Sequence, residues 1–276
     1  MMRYLGVVEG FYWMDHDSIN GRVGEFSHDG RLKLFEVMGE LNRQYDVGLN
    51  TYLYDPKYFR ERNNRGSLQD MLAGKLLETI QTAKRNNITF VYGLAPGHSS
   101  HWNYHELLER AALVKNFGGE IALLFDDSGG CARDDQMIMQ ADLANTLNEH
   151  VGLVGICSGA YSGDLMTRLK PLIIHLNHKI PIIHVGKEGW NRSMDRSHLH
   201  SFGGHPNIIW DNWMAADSSE PRRLAFCPPL RHSDDFCSAV EGYLLNLCFP
   251  EERIVHMIAS LIYLKTRDLG KTVEIM

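Results

Sequence analysis

Short apolar runs alternate along this chain with stretches whose apolar residues recur every three or four positions, so extended and helical periods take turns from one end to the other. Val7 and Val8 lie in the first run, which closes at the turn Glu9-Gly10-Phe11-Tyr12. Leu34, Phe35, Met38 and Leu41 then mark a helix over residues 30–41. Residues 49–54 read as a second strand, 68–84 as a helix, 88–93 as a third strand and 107–114 as a helix. Residues 121–125 are apolar on both faces, as a buried parallel strand should be. The alternation continues through strands at 153–156, 180–183, 207–210 and 242–245, with a helix over 165–176 and a closing helix over 254–264.

Eight strand candidates separated by helices predict a (β/α)8 TIM-type barrel, an α/β fold. An open doubly wound sheet is the alternative. No Pro- or Ser-rich linker and no internal repeat divides the 276 residues, so residues 1–276 are read as a single domain. A chain near 300 residues buries about three quarters of the surface that its unfolded form exposes, so a large core is within reach.

Composition narrows the function. Hydrophobic residues make up 44% and charged residues 22%, with a formal net charge of -6. No basic run is long enough to track a nucleic-acid backbone, and the pairs Lys84-Arg85 and Arg222-Arg223 read as solvated surface. No apolar run approaches the ~20 residues of a membrane span. The first nine residues do not form a signal h-region. The five cysteines, Cys131, Cys157, Cys227, Cys237 and Cys248, have neither the even count of a disulfide framework nor C-x-x-C spacing. A reduced cytoplasmic protein, without nucleic acid or membrane as partner, is the expectation; oligomeric state is not legible.

In a (β/α)8 barrel, chemistry collects where strands end and βα-loops begin. Polar residues fall at those points: Glu9 and Gly10, Asp55 and Lys57, Asp126 and Asp127, Tyr161, Asp211, Asn212 and Asp217, and Asn246. Asp126-Asp127 follows five apolar residues and precedes Ser128-Gly129-Gly130, where glycines let the chain leave the strand. Neighbours on a regular strand point to opposite faces, so both carboxylates reach the mouth only if the strand ends between or just after them. Two carboxylates about 6 Å apart repel by about 3 kcal/mol at an effective dielectric of 20, enough to keep one protonated while the other ionises. Glycoside hydrolysis needs that division between acid and base. The bland alternatives are a helix cap or a cation site. Asp134-Asp135, standing before an amphipathic stretch, suit the cap better.

Trp210-Asp211-Asn212-Trp213 sets aromatic faces beside amide and acid groups, a composition suited to a sugar's apolar face and hydroxyl rim. Barrel packing explains Trp210 and Trp213 equally well, and the same holds for Tyr52, Tyr54 and Tyr92. His98, His101 and His105 share one loop, but their spacing matches no metal geometry, so no metal is expected.

Five tracts in order resemble the O-GlcNAcase and bacterial hyaluronidase-like β-N-acetylglucosaminidases, glycoside hydrolase family 84. They are Gly6-Val7-Val8-Glu9-Gly10-Phe11-Tyr12, Asn50-Thr51-Tyr52-Leu53-Tyr54-Asp55-Pro56-Lys57, Phe90-Val91-Tyr92-Gly93-Leu94-Ala95-Pro96-Gly97, Leu123-Leu124-Phe125-Asp126-Asp127 and Ile209-Trp210-Asp211-Asn212. The resemblance implies a retaining exo-glycosidase acting on terminal β-linked N-acetylglucosamine of a glycoprotein or glycan, in which the sugar's 2-acetamido oxygen is the nucleophile. It implies that Asp126 polarises the acetamido group and that Asp127 is the general acid and base. Tyr161 would bond the acetamido oxygen and Trp210 would wall its pocket. Asn212, Asp217, Lys57, Asn246 and the Gly10 backbone would hold the sugar. No cofactor is implied. Cleavage of N-acetylhexosamine-containing polysaccharide or cell-wall fragments, and a catalytically silent glycan-binding module, are the alternatives. The chain departs from the family pattern at Trp13, at Ser158-Gly159-Ala160 before Tyr161, and at His184-Val185-Gly186-Lys187. The helical domain that often follows such a barrel is not seen after residue 260.

Overall fold

Eight parallel strands close on themselves in chain order, each paired with the next and the eighth with the first. The computed structural model describes residues 2–10, 28–55, 72–96, 103–126, 133–161, 164–186, 195–196, 199, 202–212, 233–247, 254–268, 270 and 274. The strands are β1 (Tyr4–Gly10), β2 (Thr51–Asp55), β3 (Thr89–Leu94), β4 (Glu120–Leu124), β5 (Gly155–Cys157), β6 (Ile182–His184), β7 (Asn207–Asp211) and β8 (Gly242–Asn246). Between and after them lie α1 (His28–Tyr45), α2 (Leu77–Arg85), α3 (Tyr104–Phe117), α4 (Asp134–Val151), α5 (Leu165–Arg168), α6 (Lys170–His175), α7 (Asp234–Ala239) and α8 (Ile254–Thr266). The (β/α)8 barrel therefore stands, and the open sheet is excluded because β8 pairs with β1.

Strand alternation sorts the apolar residues into two cores. Val8, Leu53, Val91, Ala122, Leu124, Cys157, Ile183, Ile208, Trp210 and Leu244 pack on one another inside the barrel. Leu5, Val7, Tyr52, Phe90, Ile121, Leu123, Ile156, Ile209 and Tyr243 point outward and meet the helices. Both faces of each strand are buried, which is why residues 121–125 carry no polar alternation.

Local chemistry sets the ends of several elements. Asn103 caps α3 by accepting from Glu106 N at 3.3 Å, and Gly118 ends it at φ 92°. Asp134 and Asp135 do not cap α4, whose N-cap position is Arg133 without a side-chain cap bond; they lie in its first turn and complement the helix dipole. Arg133 holds the Asp135 carboxyl below its ordinary range. The single helix expected over 165–176 is two: α5 stops at Arg168, and α6 begins with Pro171 in its first turn. Proline lacks an N–H and crowds the preceding turn, so it starts a helix better than it continues one. The stretch leading into α2 opens with a π-helical turn at Leu72–Leu76. Lys84 and Arg85 are exposed, as expected; Arg222 and Arg223 lie outside the described residues. Among the described residues, no helix is long and apolar enough to cross a membrane.

Candidate active site

The C-terminal ends of the strands share one end of the barrel, and alternation decides which of their polar residues face the lumen. Leu124 is inside and Phe125 outside, so Asp126 returns to the inner side. The β4 ladder ends at Leu124, although Phe125 N still donates to Cys157 O at 2.8 Å, and Asp126 sits in the turn that follows, half-buried. The ladder thus ends before the carboxylate pair, earlier than the end between or just after the pair that the sequence suggests. Asp127 lies outside the described residues.

Three strands away, Trp210 packs in the lumen and is only 4% exposed. Asn212 follows β7, and its Oδ1 accepts from Asn246 Nδ2 at 2.8 Å, so the ends of β7 and β8 are tied at the mouth. Asn246 is buried, and its Oδ1 has no partner among the described residues. Tyr161, beyond β5, is half-buried against the lumen cluster, and its carbonyl accepts from Val185 N at 3.2 Å. Gly10 ends β1 in register with Asp55 at the end of β2. The structure thus gathers Gly10, Asp126, Tyr161, Trp210, Asn212 and Asn246 at the strand ends of one barrel. Lys57, Asp217 and Trp213 lie outside the described residues, as do His98 and His101. His105 is on α3, in an exposed contact with Glu109 at 3.2 Å.

Two polar strand-end residues are not mouth residues. Glu9 and Asp211 are both buried, but each stands one position from a lumen-facing neighbour and so points outward, toward the helices. Glu9 accepts two hydrogen bonds of 2.7 Å from Arg31 of α1, and a third from the Tyr52 hydroxyl. Asp211 accepts from the Tyr243 hydroxyl. Burial, and then the adjacent Glu9 charge, hold the Tyr52 hydroxyl pKa well above its ordinary value. Burial alone would lower the pKa of Arg31; Tyr52 and Glu9 outweigh it, so the guanidinium is held above its usual value. Tyr52, Tyr54 and Tyr92 belong to this outer layer: Phe35 meets Tyr52 edge-on at 4.9 Å, and Arg31 lies 5.0 Å over Tyr54. These are packing tyrosines, whereas Trp210 lies in the lumen cluster.

His184 is also outward-facing and buried, against Phe202 at 4.5 Å. Gly186 N donates to its Nδ1 at 3.1 Å, so the proton is on Nε2, which faces Asn207 Oδ1 at 3.2 Å. The described part of that departure, His184 to Gly186, is thus built into the wall by its own hydrogen bonds, and Lys187 lies outside the described residues.

A family model described as NAGidase, beta-N-acetylglucosaminidase, matches residues 5–261. The chain belongs to this β-N-acetylglucosaminidase family. It is 26% identical over 271 residues to the Protein O-GlcNAcase of Rattus norvegicus, and equally to that of Mus musculus. Those matches take in 87% of this chain but 27% of either relative, so the chain spans about a quarter of their length. Among solved structures, a mutant Thermobaculum terrenum O-GlcNAc hydrolase superposes with a TM-score of 0.81 at 21% identity, over 99% of this chain and 61% of that one. The fold of this β-N-acetylglucosaminidase-family barrel therefore extends to distant relatives.

Proposed function

We propose that this chain is a retaining exo-β-N-acetylglucosaminidase whose nucleophile is the substrate's own 2-acetamido oxygen. Supporting this reading is one observation: Asp126 leaves β4 at the lumen side of a barrel mouth that also carries Trp210, Asn212 and Asn246, in a chain of this family.

In the first step the acetamido oxygen attacks the anomeric carbon while Asp127 protonates the departing glycosidic oxygen, leaving an oxazoline. Asp126 accepts the acetamido N–H, and this charge-assisted bond strengthens as positive charge grows on the acetamido group. In the second step Asp127 takes a proton from water, which adds to the anomeric carbon and restores the acetamide with retained configuration. A tethered nucleophile has a high effective concentration, so no protein nucleophile is needed. Tyr161 bonds the acetamido oxygen, Trp210 walls the acetyl pocket, and Gly10, Lys57, Asn212, Asp217 and Asn246 hold the hydroxyls. The substrate is terminal β-linked N-acetylglucosamine, and O-linked protein glycans are the favoured source. Polysaccharide or cell-wall fragments are the second reading.

The deciding experiment compares turnover of an aryl β-N-acetylglucosaminide with that of the matching aryl β-glucoside. Cleavage of the first alone is expected. Cleavage of both would point to a protein nucleophile, and cleavage of neither by folded protein to a glycan-binding module.

A further inference from the structure

Asp211 is the last residue of β7 and is buried on the outer side of the barrel wall, between Trp210 of the lumen cluster and Asn212 of the mouth. Its carboxyl accepts from the Tyr243 hydroxyl of β8. Tyr243 has Ile209 as its register partner, so the hydroxyl reaches two positions further along β7 on the same face. β1 and β2 repeat the arrangement. Val7 pairs with Tyr52, whose hydroxyl bonds Glu9, two positions on and one before Gly10. Burying a carboxylate is costly unless donors meet it, and packing of the wall does not call for one. The same outward place is filled by Phe125 ahead of Asp126 and by Leu245 ahead of Asn246. The β7 ladder ends where Asp211 pairs with Leu245, so Asn212 is the first residue beyond it. Consecutive residues share a rigid peptide plane, so a carboxyl held outside fixes the direction in which Asn212 turns inward. Asn212 Oδ1 in turn accepts at 2.8 Å from Nδ2 of Asn246, three positions after Tyr243 on β8. The two strand ends are thus tied twice, once through the outer wall and once at the mouth.

We infer that Tyr243 and Asp211 are positioning residues for sugar binding: their bond outside the barrel holds Asn212, and through it Asn246, in the orientation that receives the sugar hydroxyls. Both act from behind the wall and neither touches the substrate. The Tyr243 ring packs in the outer core and is 1% exposed, so Tyr243→Phe removes the hydroxyl and keeps the ring. The buried carboxylate then loses that donor, and the peptide leading to Asn212 loses the restraint it gave. The inference rests on the glycosidase reading, in which Asn212 and Asn246 hold hydroxyls, but its test is separable from it.

The test is a double-mutant cycle on the full chain: wild type, Tyr243→Phe, Asn212→Ala and the two combined, each assayed for kcat/KM on an aryl β-N-acetylglucosaminide. Urea unfolding is followed in parallel, so that every assay is run on folded protein. Residues that share one network couple, so Tyr243→Phe should lower kcat/KM roughly three- to thirtyfold alone and less than about twofold once Asn212 is gone. Asp211→Asn keeps an acceptor oxygen for the hydroxyl and should retain more activity than Asp211→Ala. An equal loss in both backgrounds, or no loss in either, overturns the inference and leaves the bond a purely structural tie. If Tyr243→Phe does not fold, Asp211→Asn takes its place in the cycle. Wild type that binds N-acetylglucosamine in calorimetry without cleaving the aryl glycoside overturns the glycosidase reading instead, and the cycle is then read in the binding constants.

Discussion

Arg31 and Glu9 meet in two parallel hydrogen bonds, Nε to Oε2 and Nη2 to Oε1, each 2.7 Å and each out of contact with solvent. The pair fastens α1 to β1 one residue before Gly10, and the same guanidinium covers Tyr54 one residue before Asp55. Arg31 thus grips from outside the two strand ends whose next residues face the mouth. Removing one member of a buried ion pair leaves the other charged and uncompensated, which costs about 3–5 kcal/mol. Arg31→Met is expected to lose that much in urea unfolding. Arg31→Met combined with Glu9→Leu should recover most of the loss, since the stranded carboxylate is gone; a double variant no better than the single would show that the bonds are not coupled.

Tyr52 gives the barrel an alkaline limit. Its folded pKa is raised, while in the unfolded chain it ionises near the ordinary value of 10.0. Above that pH the unfolded state binds fewer protons than the folded one, so stability is fully present below pH ~10 and falls as pH rises past it. Urea midpoints measured between pH 8 and pH 11 should fall, and Tyr52→Phe should flatten the slope even though it lowers the midpoint at pH 8.

Gly6 of β1 lies in register with Thr51 of β2. A Cβ built there would lie 1.8 Å from Thr51 O, which is backbone and cannot swing aside. Gly6→Ala should therefore force the first two strands apart, and most of the protein should be recovered in insoluble form or with a thermal midpoint lowered by many degrees. A normally soluble variant with an unchanged midpoint would contradict this close approach.

The proposed catalytic carboxylates, Asp126 and Asp127, should separate by leaving group. Asp127→Asn is expected to lose about 10²- to 10⁴-fold on poor leaving groups and much less on activated aryl glycosides, which need little proton assistance. Asp126→Asn should lose about 10²- to 10³-fold on both, because it weakens the internal nucleophile. Equal losses for Asp127→Asn on both classes would remove it from the acid role, and wild-type rates for Asp126→Asn would sink the acetamido mechanism.

Much of the fold was legible because a buried parallel strand and an amphipathic helix have different hydrophobic periods. Residues 121–125 differ from β4 by a single position at each end, and β8 by one at its end. β2 begins at Thr51, two residues later than its apolar run, because a side chain takes both backbone groups of Leu49, although Asn50 N still donates to Leu5 O at 2.8 Å and Asn50 O accepts from Thr89 N at 2.7 Å. Asn42 of α1 exchanges hydrogen bonds with both backbone groups of Leu49, and Asn50 Oδ1 accepts from Leu5 N. The candidate site was legible only as a set of polar residues at strand ends. Glu9 and Asn212 look alike in that set, yet one is an outer clamp and the other a mouth residue.

The order of strands and helices, the apolar nature of both strand faces and the break after Phe125 were properties of the sequence alone, because each follows from local periodicity and residue type. Whether β8 would find β1, which face of each strand would enclose the lumen, and hence the separation of Glu9 and Asp211 from Asp55, Asp126 and Asn246, were decided only by closure of the barrel. Closure joins residues that lie more than 200 positions apart and turns a one-residue difference in register into opposite sides of a wall.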